Sequence, residues 1–131
     1  MKKELGVYKL TTTDLKILET VHLLNEQHKY PLSAGVLKIL SGVDDEEIEP
    51  FKNYTTYKTL VSYPSKKISR LIVMLLRYKY LERIYDKNTD KLYLKVSPLG
   101  ELELEKYHKK HKYAFMKKKV NKSKTIVEII D

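Results

Sequence analysis

The four histidines, His22, His28, His108 and His111, are the first candidates for chemistry. His108 and His111 stand about one helical turn apart and could touch one metal ion, but no third ligand lies at a matching spacing. Set in a lysine run, the pair reads as ordinary polar residues, and His22 as half-buried structure on a first helix. Asp44-Asp45-Glu46-Glu47-Ile48-Glu49 gathers acids ahead of Pro50 without the pattern of a calcium loop, so these side chains read as first-turn acids of a short helix. The chain has no cysteine, which excludes a disulfide framework, thiolate zinc ligands and a cysteine nucleophile. None of the 4 glycines builds a phosphate-cradling Gly-x-x-x-x-Gly-Lys-Ser/Thr loop, and no serine sits in a Gly-x-Ser-x-Gly elbow. ATP hydrolysis and hydrolase chemistry therefore have no anchor. The expectation is a binding protein with no catalytic residue, no metal and no cofactor.

What remains is cationic. The formal net charge is +9, and it is unevenly spread. Residues 1–63 hold 8 lysines against 9 acids, whereas residues 64–131 hold 18 Lys+Arg against 8 acids. Such asymmetry points to a polyanionic partner for the second half, nucleic acid ahead of a lipid surface, with a merely solvated lysine-rich face as the plain alternative. A hydrophobic content of 42% in 131 residues suits one soluble domain with its own core. No apolar run approaches the length of a membrane span, and no apolar stretch follows the basic start as a secretory leader would require. A soluble cytoplasmic protein without a membrane partner is expected.

The elements that must position these charges are legible. Thr11 to Asp14 reads as a capping box, and Ile17, Leu18, Val21 and Leu24 recur at helical spacing, predicting a first helix to about residue 28. Ser33 is placed as the cap of a short second helix with Val36, Leu37 and Leu40 inward, stopped by Gly42 in the left-handed conformation. Residues 51–63 form an aromatic-rich connection. After Pro64 and a Ser65 cap, Ile68, Leu71, Ile72, Leu75 and Leu76 make one apolar stripe, predicting a third helix whose other face carries Lys66, Lys67, Ser69, Arg70 and Arg77.

Tyr80 to Tyr85 and Lys91 to Val96 then read as the strands of a hairpin around a five-residue loop, Asp86 to Asp90. Leu92, Leu94 and Val96 are assigned a dry face, and Lys91, Tyr93 and Lys95 a basic, aromatic one. Ser97-Pro98 opens a last helix to about residue 115, with Leu99, Leu102 and Leu104 available to the core. From Lys106 to Lys124 there are nine lysines and no acid. The predicted organisation is an N-terminal arm over 1–10, a domain over 11–115 and a basic tail, expected to be flexible, over 116–131.

Three or four helices followed by a two-stranded wing is the order of a winged helix-turn-helix, an α+β and mostly α fold. Such a fold sets a helix in the major groove and a ribbon against the adjacent groove or backbone. Lysine and arginine supply affinity by neutralising phosphates. The candidate DNA-binding set is accordingly Ser65, Lys66, Lys67, Ser69, Arg70 and Arg77 on the third helix, Arg83, Tyr85, Lys87, Lys91, Tyr93 and Lys95 on the ribbon, and Lys109, Lys110 and Lys112 beyond it.

Three stretches carry a likeness: Val36-Leu37-Lys38-Ile39-Leu40-Ser41-Gly42; Tyr57 through Ser65-Lys66-Lys67-Ile68-Ser69-Arg70-Leu71-Ile72; and Leu75-Leu76-Arg77-Tyr78-Lys79-Tyr80-Leu81 with Leu92-Tyr93-Leu94-Lys95-Val96-Ser97-Pro98-Leu99-Gly100. Through them residues 10–104 resemble a family, the RQC domain that follows the helicase core of RecQ-type DNA helicases. The resemblance implies binding to duplex, fork or junction DNA in replication or repair, beside a helicase core in the same or another chain. In some members the hairpin acts where strands separate. Lys58 and Lys79 stand where the family has glycine, and the hairpin tip lacks an aromatic residue, leaving Tyr85 and Tyr93 at its shoulders. Two other readings of the residues stay open: a transcriptional regulator or replication initiator binding a specific site as a dimer, and a winged helix that binds a protein partner.

Overall fold

The structure, a computed structural model, describes residues 8–109; the predicted tail over 116–131 and the far end of the predicted last helix lie outside them. Within this range the chain is α+β: four helices and a two-stranded antiparallel sheet. The first helix, α1, is Thr12–Glu26, and Thr11 caps it as expected. The Thr11 hydroxyl accepts from Asp14 N–H at 3.2 Å while Asp14 Oδ2 accepts from Thr11 N–H at 3.0 Å. The same carboxylate oxygen accepts from Tyr8 O–H at 3.0 Å, and Tyr8 and Leu10 pack on the core, so the end of the predicted N-terminal arm belongs to the domain. Burial and this bond to Asp14 push the Tyr8 hydroxyl up to about 12.

The second and third helices, α2 at Ser33–Ser41 and α3 at Ser65–Arg77, correct two predicted caps. Leu32 and Pro64 occupy the cap positions in extended backbone, and Ser33 and Ser65 are already helical, with no side-chain cap bond at either end. Pro64 needs no N–H at that place, and its carbonyl accepts from Lys67 and Ile68. Gly42 does close α2 in the left-handed conformation, φ 80°, and a Cβ there would collide with the Lys58 stem. Of the short helix expected for the acids only a single 3-10 turn forms, Glu49–Phe51, with Glu49 in its first turn; residues 45–48 form the turn that leads into it.

Strands β1, Leu81–Asp86, and β2, Lys91–Val96, pair with Asp86 opposite Lys91, so the loop holds four residues, 87–90, and not five. A fourth helix, α4, runs over residues 98–109 to the limit of the described chain. One core unites Ile17, Leu18 and Val21 of α1, Val36 and Leu40 of α2, Ile68, Ile72 and Leu75 of α3, Leu81, Leu94 and Val96 of the ribbon, and Leu104 of α4. Leu99 and Leu102, offered to that core by the sequence, are instead exposed. Gly100 is needed where α4 crosses the α3–β1 turn, because a Cβ would meet the Tyr80 carbonyl oxygen at 2.3 Å.

The ribbon is fixed from its outer edge. Leu94 N–H donates to the Pro31 carbonyl at 2.8 Å, and Asn25 Oδ1 accepts from Val96 N–H at 3.0 Å. A loop and one amide side chain thus occupy the place of a third strand. The 51–63 connection is pinned likewise, by a fully buried Thr20 hydroxyl donating to Thr56 Oγ1 at 2.7 Å. Lys58 and Lys79, the positions where the resembled family has glycine, both take left-handed backbone, φ 64° and 69°.

Candidate nucleic-acid interface

Among the described residues, helix α3 carries a row of cations without ion-pair partners. Ile68, Ile72 and Leu75 bury one side, so the residues half a turn away must face solvent. At 100° per residue, Lys66, Arg70, Val73 and Arg77 fall within about 60° of one another, opposite the buried side. All four are exposed. Among the described residues, none of Lys66, Arg70 and Arg77 has an ion-pair or hydrogen-bond partner. Lys67 sits off this row, its ammonium 5.3 Å from the Tyr63 ring centroid in a cation–π contact. Ser65 is exposed at the first helical position, and Ser69 is half-buried on the flank.

The ribbon does not gather its candidates on one face. The register pairs Leu81 with Val96, Arg83 with Leu94 and Tyr85 with Leu92 on the side turned to the core, and Glu82 with Lys95, Ile84 with Tyr93 and Asp86 with Lys91 on the other. Arg83 and Tyr85 therefore oppose Lys91, Tyr93 and Lys95. The dry face expected for Leu92, Leu94 and Val96 holds only at the base, since Leu92 is 46% exposed. The outer face is not purely basic either, because each lysine has an acid as its cross-strand neighbour. Helix α3 packs against β1 and α1 against β2, which leaves Arg83 on the strand next to α3.

Both shoulder tyrosines are engaged. Tyr85 O–H donates to Asp90 Oδ1 at 2.7 Å, a bond that raises the Tyr85 pKa, and Tyr93 O–H donates to Thr89 at 2.9 Å. Asp86 accepts from Asn88 N–H and the Thr89 hydroxyl. These bonds brace the loop from both faces, with Lys87 exposed within it. Lys109 is exposed on α4 at the last described residue; Lys110 and Lys112 lie outside the described residues.

The acidic cluster makes the opposite use of charge. Lys38 Nζ reaches Glu47 at 2.9 Å, and Lys52 Nζ reaches Glu49 at 2.9 Å as well as Asp44. The hydrogen bond that Lys52 donates holds the Asp44 carboxyl below its usual value, and the bonds that Lys38 and Lys52 donate to these acids hold both lysines above theirs. Two histidines bond to acids: His22 of α1 to Glu101 of α4 at 2.9 Å and, within α1, to Glu26 at 3.2 Å, and His108 of α4 to Glu19 of α1 at 2.6 Å. Among the described residues no group of three or more His, Cys, Asp or Glu converges on a metal position; His111 lies outside them. No helix among these residues is long and apolar enough to cross a membrane.

Val73 was missed from the sequence, although its phase on α3 is the signal that finds it. It belongs to the solvent row and not to the apolar stripe, and it is 49% exposed. No family model matches the chain, and no curated protein matches it.

Proposed function

We propose that this protein is a nucleic-acid-binding module of winged helix-turn-helix type that holds duplex or branched DNA through α3, acting by binding and not by catalysis. The observation that carries the reading is the row Lys66, Arg70 and Arg77: long cations on the side of a helix opposite its core, with no acid of the described chain to neutralise them. A 13-residue helix is about 20 Å long and fits the major groove, where cations along its outer row reach phosphates on either side. The order α1, α2, α3, ribbon agrees with this geometry, and Arg83 on β1 adds charge of the same sign. The resemblance to the RQC domain extends the reading to forks and junctions in replication or repair.

Fluorescence anisotropy of the full chain on labelled duplex, fork and four-way junction tests it. Binding is expected to weaken steeply with salt, by about 0.9 in log affinity per unit of log salt for each phosphate contacted. Arg70→Glu is expected to reduce that slope by about one and weaken all three probes together. A wild-type protein that holds none of the probes at low salt, or an Arg70→Glu variant that binds as the wild type does, refutes the reading. Equal affinity for fork, junction and plain duplex removes the branched-DNA part alone.

One observation favours a second reading, a regulator or initiator that binds its site as a dimer. Leu99 and Leu102 are exposed about one turn apart on α4, at 41% and 48%. Sedimentation giving monomer at every concentration, with and without duplex, excludes it.

A further inference from the structure

Resting on the DNA-binding reading above, we infer that Val73 gives α3 a sequence preference by touching the 5-methyl group of a pyrimidine in the major groove. Lys66, Arg70 and Arg77 are charges, and a row of charges alone binds every sequence alike. Val73 interrupts that row between Arg70 and Arg77. Its isopropyl group is 49% exposed, on the helix side opposite Ile68, Ile72 and Leu75. The centre of a straight helix laid in a groove approaches the floor most closely, and Val73 is central to the row while Lys66 and Arg77 lie nearer its ends. The floor of the major groove presents hydrogen-bonding edges and a single apolar group, the 5-methyl. An aliphatic side chain without donor or acceptor has that one favourable partner there. Covering a methyl of this kind is worth about 0.8 kcal/mol, or three- to fivefold in affinity.

The methyl comes from thymine or from 5-methylcytosine, and the two sources are separable. Full-length protein is titrated with random-sequence duplex pools made in four ways: unmodified, with uracil replacing thymine, with cytosine methylated at C5, and with both changes. The same titrations are run for Val73→Ala, Val73→Thr and Arg70→Glu. Because Val73 is half-exposed, Val73→Ala is expected to keep the wild-type melting temperature. The expected result is that the tightest-bound fraction of the unmodified pool binds three- to fivefold better than its uracil counterpart. Val73→Ala abolishes that difference, and Val73→Thr, which keeps a methyl, retains part of it. Preference for the methylated-cytosine pool with no loss in the uracil pool assigns the contact to 5-methylcytosine.

Wild-type protein indifferent to all four pools overturns the inference, as does a Val73→Ala that weakens thymine and uracil pools equally. Arg70→Glu keeps this result apart from the broader one. If it weakens every pool while methyl content does not matter, DNA binding stands and only the Val73 contact falls. If it weakens none, the DNA-binding reading falls first.

Discussion

Two regions of the molecule carry lysine or arginine in plenty and use it in opposite ways. In the corner made by α2 and the turns after it, Lys38 and Lys52 each reach acids at 2.9 Å, so both lysines are neutralised by the acids beside them. Along α3, Lys66, Arg70 and Arg77 face solvent with no such partner among the described residues. A paired lysine offers little net field to a distant anion, whereas an unpaired row sums its field along the helix. Net charge alone does not separate these cases; the partners do. The ribbon stands between them, because Lys91 and Lys95 face Asp86 and Glu82 across the strands without forming close ion pairs.

The strongest test of this contrast reverses charge in both regions. Arg70→Glu with Arg77→Glu is expected to weaken duplex binding about a hundredfold at low salt, whereas Lys52→Glu leaves it within about twofold. Equal losses in anisotropy titrations erase the distinction. The ribbon is expected to fall between. Lys95→Glu costs about threefold, and Glu82→Ala, by removing the acid opposite Lys95, gains about twofold on the same probes. A Glu82→Ala variant that binds more weakly contradicts the intermediate assignment.

The strained lysines sharpen the comparison on a second axis. Lys58→Gly and Lys79→Gly relieve left-handed backbone, and each is expected to stabilise the fold by about 1 kcal/mol in denaturant titrations. The charge of Lys58 helps to lower the Asp44 pKa, while Lys79 follows the cationic helix, so only Lys79→Gly is expected to lower DNA affinity, by about twofold. The smallest expected effect is of pH. Asp44 is held below the usual carboxylate value by Lys52, so its contribution is whole above that usual value and fades as pH falls through the lower folded one. Lys38 is held above its usual value by Glu47, so its contribution is whole below the usual lysine value and fades as pH rises through the folded one. Carboxyl-carbon NMR of Asp44 checks the acid limb, and an ordinary titration there removes the pairing.

Much of this was legible in the sequence. The α3 stripe, the capping box at Thr11 and the stop at Gly42 follow from periodicity and backbone sterics, which are local. The ribbon shows where local reading fails. Alternation placed Lys91, Tyr93 and Lys95 together correctly, since it concerns one strand. Which residues of β1 join them depends on loop length. A five-residue loop would pair Tyr85 with Lys91 and bring Arg83 and Tyr85 to the basic face; the actual four-residue loop pairs Asp86 with Lys91 and sends them to the other. One residue of turn length therefore decided the face of both β1 candidates, Arg83 and Tyr85. Ser33 and Ser65 misled for a similar reason: serine suits a cap, yet Leu32 and Pro64 already supplied the extended backbone a cap requires.

Asn25 and Pro31 close the outer side of β2, whereas within the described residues β1 makes no backbone hydrogen bond outward from its own ladder. Within the described residues the sheet is thus closed by hydrogen bonds at Leu94 and Val96 on its β2 side and carries none on its β1 side. A strand added to this sheet would meet open backbone along β1 and a filled margin at the base of β2, so two copies paired edge to edge through β1 would keep that filled base on each outer side.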